Sequence, residues 1–593
     1  MAVPDPHPRH ILLQERHSLT QQLFERPYSC ITYLSRAIYH EKLGYPDLAA
    51  GDAYRALLLT DEISDDSSEY HEQALETYYE DVAHEHPLET SWLGTLRDNS
   101  IQNVIQESCN GDEADVSLNE EGDPGIDHIV RQLRLRCFAC LSDYLCQCGC
   151  LRSAYDFAER GLRLDSGNSM FLDFRRNAIQ TCNTMLLEKD PGWKQWDYDP
   201  REELPNQGRA RRELYPWNHH EPDRFSEESL TFLDQEMKKV APKCEVRAVS
   251  LPVLETGSLS NPLPKPSATI QQLGVFATED IAPHEIVLQE RSLLTANNRL
   301  HDPLCDACSA PLPPISALES PLPTCPDCDD IIFCSETCYS LATSLYHPAV
   351  CGKPDLETIA KDPSPLAATN ALYLLLLGRT FALSETQNIH PLDLTETKYL
   401  WGDFSLPPPP PPTTTTTTKQ QPARQLPFTF EDNILAPLHL LAKMDIDVFA
   451  SLATTDTWII STLFAKFRGV ASARMNPRTG IPEVCAVHPR WCLANHSCAP
   501  NVKWEWSGDI RFEARGGEDV VQWGDVGEGR KAGGIKKGEE VLNHYCDVTL
   551  GVKERREWAA GALGGTCVCD RCVWEEGAEE RKKGTSPGGI GAG

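Results

Sequence analysis

Eight side chains of metal-binding type within 47 residues constrain this chain more than any other feature: Cys305-x2-Cys308, Cys325-x2-Cys328, Cys334-x3-Cys338 and His347-x3-Cys351. Sulfurs so spaced reach one tetrahedral ion from a tight turn or from one helical turn. Eight ligands make two closed four-coordinate sites. Neither leaves a position for water, so both are expected to be structural. Coordination then replaces the core that so short a segment cannot build. A third set, Cys567, Cys569 and Cys572, supplies three thiolates and needs a fourth, for which Cys498 is the candidate. The cysteines number 23, an odd count, and cluster at metal spacings. Met1 to Arg16 has no apolar leader. Together these favour a reducing compartment, nucleus or cytoplasm, over a disulfide framework.

The 593 residues predict three or four domains, at roughly 100–200 residues each. No apolar run approaches about 18 residues, so no membrane span is expected. The formal net charge of −32 works against binding a nucleic-acid backbone. It suits either basic, Lys-rich protein partners or plain solubility.

Residues 10–60 read as helical. Their small and apolar positions (Ala37, Leu43, Gly44, Leu48, Ala49, Ala53, Ala56, Leu57) recur as Leu141, Gly149, Ala154, Ala158, Gly161 and Leu162. Aligning Gly44 with Gly149 puts Ala49 on Ala154 and Ala56 on Gly161. The pattern resembles a tetratricopeptide repeat, though it lacks that family's Trp and terminal Pro; the other reading is a generic helical hairpin. Asn168 to Leu187 reads as a closing helix. The acidic stretch from Asp112 to Asp123 predicts disorder. Residues 190–243 read as irregular, with Trp193, Trp196 and Trp217 as packing anchors and the basic cluster Arg209–Arg212 as a solvated turn rather than an import signal.

Cys244 to Val253 alternates as a half-buried strand would, and Leu273–Ala277 and Ile286–Leu288 are further strand candidates. Residues 355–400 and 435–470 are periodic and helical. Between them Pro407–Pro412 and Thr413–Thr418 predict a flexible or polyproline-like insert. Short strands resume at Lys503–Trp506, Ile510–Ala514 and Glu540–His544, interrupted by a Gly-rich insert from Gly516 to Gly534. The tail beyond Glu576 reads as disordered.

Asn495-His496-Ser497-Cys498-Ala499-Pro500-Asn501 packs two amides, an imidazole, a thiol and a fixed Pro into seven residues. Gly538-Glu539-Glu540-Val541-Leu542-Asn543-His544-Tyr545 follows. With the finger spacing, these segments resemble a SET-domain protein-lysine methyltransferase of the SMYD type, in which a MYND finger is inserted into a split SET domain. The likeness covers roughly residues 244–575. It implies an α+β multidomain fold with a tetratricopeptide-like region at 10–190 and a linker at 191–243. The SET parts would be 244–303 and 481–550, the finger 304–352, and a helical insert 353–480 with a disordered loop at 405–425. A post-SET zinc segment would be 551–575 and a disordered tail 576–593.

The resemblance implies that Cys305, Cys308, Cys334 and Cys338 hold one zinc, and Cys325, Cys328, His347 and Cys351 a second. Cys498, Cys567, Cys569 and Cys572 would hold a third. It implies S-adenosylmethionine as cofactor, held by Asn495 and His496 and by an early glycine turn, Gly274-Val275-Phe276-Ala277. Tyr545 would stand beside the methyl-transfer axis, orienting the amine by hydrogen bonding rather than acting as a strong base. Two departures stand out. Gln272 occupies the place of a first glycine, and Thr566 that of an aromatic residue against the cofactor. A further cofactor Asn corresponds loosely to Val470–Asn476. The implied substrate is a protein lysine, histone or non-histone, and the implied finger partners are proline-rich peptides. Neither nucleic acid nor membrane is expected. The alternative is a non-catalytic adaptor that uses the finger and helical repeats to bind proteins.

Overall fold

Among the described residues seven helices open the chain: α1 (Arg9–Glu25), α2 (Cys30–Lys42), α3 (Pro46–Ser64), α4 (His71–His84), α5 (Ile126–Cys148), α6 (Leu151–Leu164) and α7 (Ser169–Lys189). The structure, a computed structural model, describes residues 9–84, 126–254, 269–297, 304–404, 424–524 and 533–584, apart from 319, 329, 330, 362 and 477. The acidic stretch at 112–123 and the Pro/Thr run at 407–418 lie outside these residues.

The repeated pattern reappears in the turns. Gly44, between α2 and α3, and Gly149, between α5 and α6, both have φ of +86°. Each amide donates back three residues, Gly44 to Glu41 O (2.8 Å) and Gly149 to Cys146 O (3.0 Å). The following amides donate back five, to His40 O and Leu145 O, both at 2.9 Å. Such a left-handed helix end is cheap only without a Cβ. The aligned Ala49 and Ala154 are then buried at the helix contacts.

Ten strands are described: β1 (Gly208–Arg211), β2 (Cys244–Pro252), β3 (Thr269–Ala277), β4 (Ile286–Arg291), β5 (Thr295–Asn297), β6 (Gln425–Phe428), β7 (Ser472–Met475), β8 (Pro482–Ala486), β9 (Val502–Ser507) and β10 (Asp509–Ala514). They make four small sheets: β1-β6, β2-β3, β4-β10-β9 and β5-β8-β7. The molecule is therefore mixed α+β. Among the described residues no helix is long and apolar enough to cross a membrane.

The chain divides into two units, Met1–Tyr215 with Ser405–Ser461, and Pro216–Phe404 with Thr462–Gly593. The division differs from the single 353–480 insert expected from sequence, because the described residues 424–461 join the N-terminal helices. Arg36 is fully buried, holds Asp52 through two nitrogens (2.9 and 2.6 Å) and reaches both oxygens of Asp456 at 3.1 and 3.2 Å. Arg55, equally buried, donates to Thr455 O and to Thr457 Oγ1, both at 2.8 Å. A buried guanidinium left without these acceptors would cost several kcal/mol, so the segment is committed to this unit.

The second unit has a core in which Leu233 and Met237 of the helix Glu227–Val240 meet Val246 of β2, Val275 of β3, Leu288 of β4 and Phe512 of β10. Each such side chain contributes roughly 1.5–3 kcal/mol on burial.

Four further expectations are corrected. The segment read as irregular contains that helix, capped by Ser226, whose side chain accepts from Ser229 N; Glu227 and Glu228 begin it and Lys238 and Lys239 end it. Arg209–Arg211 lie in β1, in register with Gln425–Pro427 of β6, and do not form a solvated turn. Leu273–Ala277 is strand, as its pattern predicts, and Gly274–Ala277 is not the turn the resemblance implied, because all nine residues of β3 are in register with β2; Gln272 faces Val249 as an ordinary strand residue. The tail forms a helix, Asp570–Gly584, past the expected end of order at Glu576.

Candidate active site and metal centres

The motif segments meet in the second unit. Glu540–His544, expected as a strand, instead makes two isolated bridges, one on each side. Val541 N donates to Val275 O (2.8 Å) and Ala277 N to Glu539 O (2.9 Å), joining the segment to β3. On the other side Asn543 N donates to Asn495 O and Ser497 N to Asn543 O, both at 2.8 Å. The segment is thus clamped between β3 and Asn495–Ser497, and this crossing brings the separate motifs to one place.

Asn495 Nδ2 donates to Leu273 O (2.9 Å) and to Glu540 Oε1 (2.7 Å). Burial pushes the Glu540 carboxyl above its ordinary range, and the Asn495 amide partly offsets this. Gly274 lies directly beneath the pair. A Cβ there would stand 2.6 Å from Glu540 Oε1 and 3.1 Å from Asn495 Nδ2, so glycine is what lets them meet. Asn501 locks the same segment, donating to Glu540 O and accepting from Leu542 N, each at 2.8 Å.

His496 accepts from Tyr545 N at Nδ1 (3.0 Å). The loss of solvation pushes its pKa down to about 4, so the ring is neutral and its proton sits on Nε2. That nitrogen lies 3.3 Å from Cys498 Sγ and can donate to it. The Tyr545 hydroxyl donates to Ala494 O at 2.8 Å. Desolvation raises the phenol well above its ordinary range, so it stays protonated and can orient a partner by hydrogen bonding.

Asn495, His496 and Tyr545 line one cavity of about 940 Å³, together with Pro500, Asn501 and the turn at Cys567–Arg571. This is ample for a nucleoside-sized ligand, for which sites run roughly 300–1,000 Å³. Val275 is buried in the core and Phe276 lies under the Arg247 guanidinium (5.2 Å), so residues 274–276 back the site from behind Asn495 and Glu540. Asn476 is committed elsewhere. Its Oδ1 accepts from Arg478 N and Thr479 N, and its Nδ2 donates to Glu483.

The cysteines gather into three tetrads. Cys305, Cys308, Cys334 and Cys338 have ligand atoms mutually within 4.8 Å. So do Cys325, Cys328, His347 and Cys351, and Cys498, Cys567, Cys569 and Cys572. A zinc–sulfur bond of about 2.3 Å gives a tetrahedral edge of about 3.8 Å. The separations Cys308–Cys334 (3.8 Å), Cys334–Cys338 (3.6 Å), Cys325–Cys351 (3.6 Å), Cys328–Cys351 (3.8 Å) and Cys498–Cys567 (3.9 Å) match that edge. Each tetrad can therefore hold a zinc ion. In the first, Ser335 caps the helix Glu336–Leu345 by accepting from Cys338 N, which sets Cys338 at the first turn. The third is braced by cations: Arg555 Nη2 points at Cys572 Sγ (3.6 Å) and Arg571 donates to Cys498 O (2.7 Å). They offset the negative charge of a four-thiolate site.

Sequence reasoning missed three contributors. Asn543, wholly buried, carries the crossing through its backbone, and only its place inside the Gly538–Tyr545 motif could have flagged it. Trp523 and Trp574 line the cavity from outside every motif.

Over 98 residues, 16% of its length, the chain is 30% identical to the N-lysine methyltransferase SMYD2 of Gallus gallus. It spans about a fifth of that relative, 19%. No family model matches.

Proposed function

We propose that the chain is an S-adenosylmethionine-dependent protein-lysine N-methyltransferase. The second unit would carry a split SET fold around an inserted MYND finger, and the first unit a tetratricopeptide-like region that contributes to partner choice. The observation that carries this reading is the convergence of Asn495, His496 and Tyr545 on one cavity beside a tetrad of thiolates. The partial likeness to a lysine methyltransferase supports the same class of chemistry.

Asn495 and His496 would hold the cofactor, which when bound supplies an activated methyl group. The chain's own part is to align and desolvate the reactants. A target lysine of ordinary pKa about 10.4 must arrive neutral, and a low-dielectric site disfavours its ammonium form. The Tyr545 phenol, protonated and donating its one proton to Ala494 O, orients the amine by accepting a hydrogen bond from it. With its pKa raised by burial it is not ionised near neutral pH, so no phenolate is present to serve as the base.

The test is calorimetric titration of the zinc-replete protein with S-adenosylmethionine, then methyl transfer to a panel of lysine peptides, histone sequences included. Binding is expected, and Tyr545→Phe is expected to lose about 10²-fold or more in turnover, the scale of an oriented hydrogen-bonding group. An unsubstituted protein that binds no cofactor would overturn the reading in favour of a non-catalytic adaptor. Full activity in Tyr545→Phe would overturn the role given to Tyr545.

A further inference from the structure

The third tetrad has a fifth sulfur beside it. Cys546 is 4% exposed and packs in one cluster with Cys498, Cys567 and Cys572. The Cys498 and Cys546 sulfurs and a ring nitrogen of His496 lie mutually within 4.8 Å. The contact follows from the crossing of the two motif segments. Ser497 N donates to Asn543 O (2.8 Å) and Tyr545 N to His496 Nδ1 (3.0 Å). Arg571 Nη1 donates to both Cys498 O and Val548 O, at 2.7 and 2.8 Å. The backbone beside each cysteine is thus tied to the other segment. Cys498, Cys567, Cys569 and Cys572 already complete a tetrahedron, so Cys546 is not needed as a ligand. The finger offers a contrast, since all seven cysteines of residues 304–352 belong to its two tetrads. A buried thiol commonly does no more than fill space. This one stands within reach of a ligating sulfur, and the cavity opens onto the same cluster at Cys567 and Cys569.

We propose that Cys498 and Cys546 are a site of oxidative modification, closing to a disulfide when a peroxide enters the cavity. The Cys498 thiolate attacks one peroxide oxygen, giving a sulfenic acid and releasing hydroxide. The Cys546 thiol gives its proton to that hydroxide, forming water, and its sulfur displaces a second hydroxide from the sulfenic acid. The two sulfurs together lose two electrons, and the peroxide takes them up. The partner is Cys546 rather than another ligand for a simple reason. A Cys498–Cys546 bond gives up one metal–sulfur contact, whereas a disulfide between two ligands gives up two. Three thiolates remain, one short of a closed site. Cys498 lies two residues after His496, and Cys546 one after Tyr545, so the change reaches both cavity residues. The inference needs the third tetrad to hold zinc and does not depend on the methyltransferase reading.

The test uses the whole chain, purified with zinc, its metal content measured, and treated with hydrogen peroxide. Released ion is followed with a chromogenic zinc chelator. The product is digested with trypsin without reduction and mapped by mass spectrometry. One zinc per chain is expected to leave ahead of the rest. A disulfide should join the peptides Trp491–Lys503 and Gly538–Lys553, with fragment ions placing it at Cys498 and not at Cys492. Dithiothreitol with added zinc should restore the starting metal content. In Cys546→Ala the early phase of release is expected to disappear, leaving all the zinc to follow the slower course of the finger. A first disulfide among Cys498, Cys567, Cys569 and Cys572 overturns the inference. So does an early phase that survives in Cys546→Ala, or a starting protein that lacks the third ion. The peptide map needs no variant, so misfolding of Cys546→Ala cannot hide the answer.

Discussion

The two units tie remote segments together by different chemistry. In the first, Arg36 reaches Asp456 across 420 residues of sequence, through buried charge-assisted hydrogen bonds. In the second, Cys498 lies against Cys567 and Cys572 across 69 and 74 residues, in a tetrad suited to a metal. Closing such loops costs entropy that grows only slowly with length, so both solutions are open to a chain of this size. They differ in what they depend on. The buried arginines depend on acceptors of the chain itself, carboxylates for Arg36 and carbonyl and hydroxyl oxygens for Arg55, and on nothing from outside. The thiolate tetrads depend on an ion that the chain must acquire. Loss of metal should therefore undo one unit and spare the other, and loss of one buried charge should do the reverse.

The largest effect is expected from the first tetrad. Cys305→Ser leaves three ligands for a closed site, in a segment with little core of its own. Structural zinc in short fingers is worth on the order of 10 kcal/mol. Metal analysis should show one ion fewer per chain, and hydrogen exchange should show residues 304–351 losing protection while helices α2 and α3 keep theirs. Unchanged metal content would break the assignment. Parallel loss of protection in α2 and α3 would break the contrast between the units.

Next comes Arg36→Met. Asp52 would keep only His40 (2.9 Å) and Asp456 only the more distant Arg16 (3.7 Å) and the Thr457 amide, at a cost of about 3–5 kcal/mol. Burial alone would raise the Asp52 carboxyl; Arg36 and His40 more than reverse it and hold it well below the usual range. The folded value lies below the unfolded one, so this stabilisation is present above pH about 4 and is lost as pH falls further. The variant should lose exchange protection in α2, α3 and residues 447–457 together, with metal content unchanged. Protection surviving in 447–457 would show that other contacts hold that segment.

The same contrast explains what was legible beforehand. Thiolate ligands come in pairs a few residues apart, because one turn must present two of them, so the tetrad segments stood out in the sequence. Cys498 could be proposed only because three ligands demanded a fourth. The turns at Gly44 and Gly149 were readable because a left-handed residue restricts the choice of side chain. Buried ion pairs carry no such spacing. Nothing beside Arg36 or Asp456 marks them as partners, and residues 424–461 were accordingly read as one insert with their sequence neighbours. The helix Glu227–Val240 was missed although its signals were present in Ser226, Glu227 and Glu228. Three tryptophans and several prolines nearby drew the reading toward loop. Trp523 and Trp574 were invisible for a further reason, since their place on the cavity wall arises only where an insert and a tail converge.

The smallest effect concerns a buried charge that has no arginine clamp like that of Asp52. Asp47, in the first turn of α3, is 1% exposed, and neither carboxylate oxygen has a side-chain hydrogen-bond partner. Burial pushes its pKa up to about 6, only partly offset by local backbone amides and the more distant Arg211. A helix N-terminus favours a carboxylate, but desolvation outweighs it here. The folded value lies above the unfolded value of about 3.9, so ionisation is easier in the unfolded chain. The group's contribution is therefore full below pH about 4 and is lost as pH rises through 6. Asp47→Asn keeps the shape and cannot ionise. Between pH 5 and pH 8 the variant should gain roughly 1.5 kcal/mol on the unsubstituted protein, read as a relative shift of the urea midpoint for the helical signal. A difference that stays constant across that range would mean the carboxylate is solvated or paired in the folded unit. Asp47 would then belong with Asp52 among the compensated charges, and the contrast between clamped and unclamped carboxylates within the helical unit would fail.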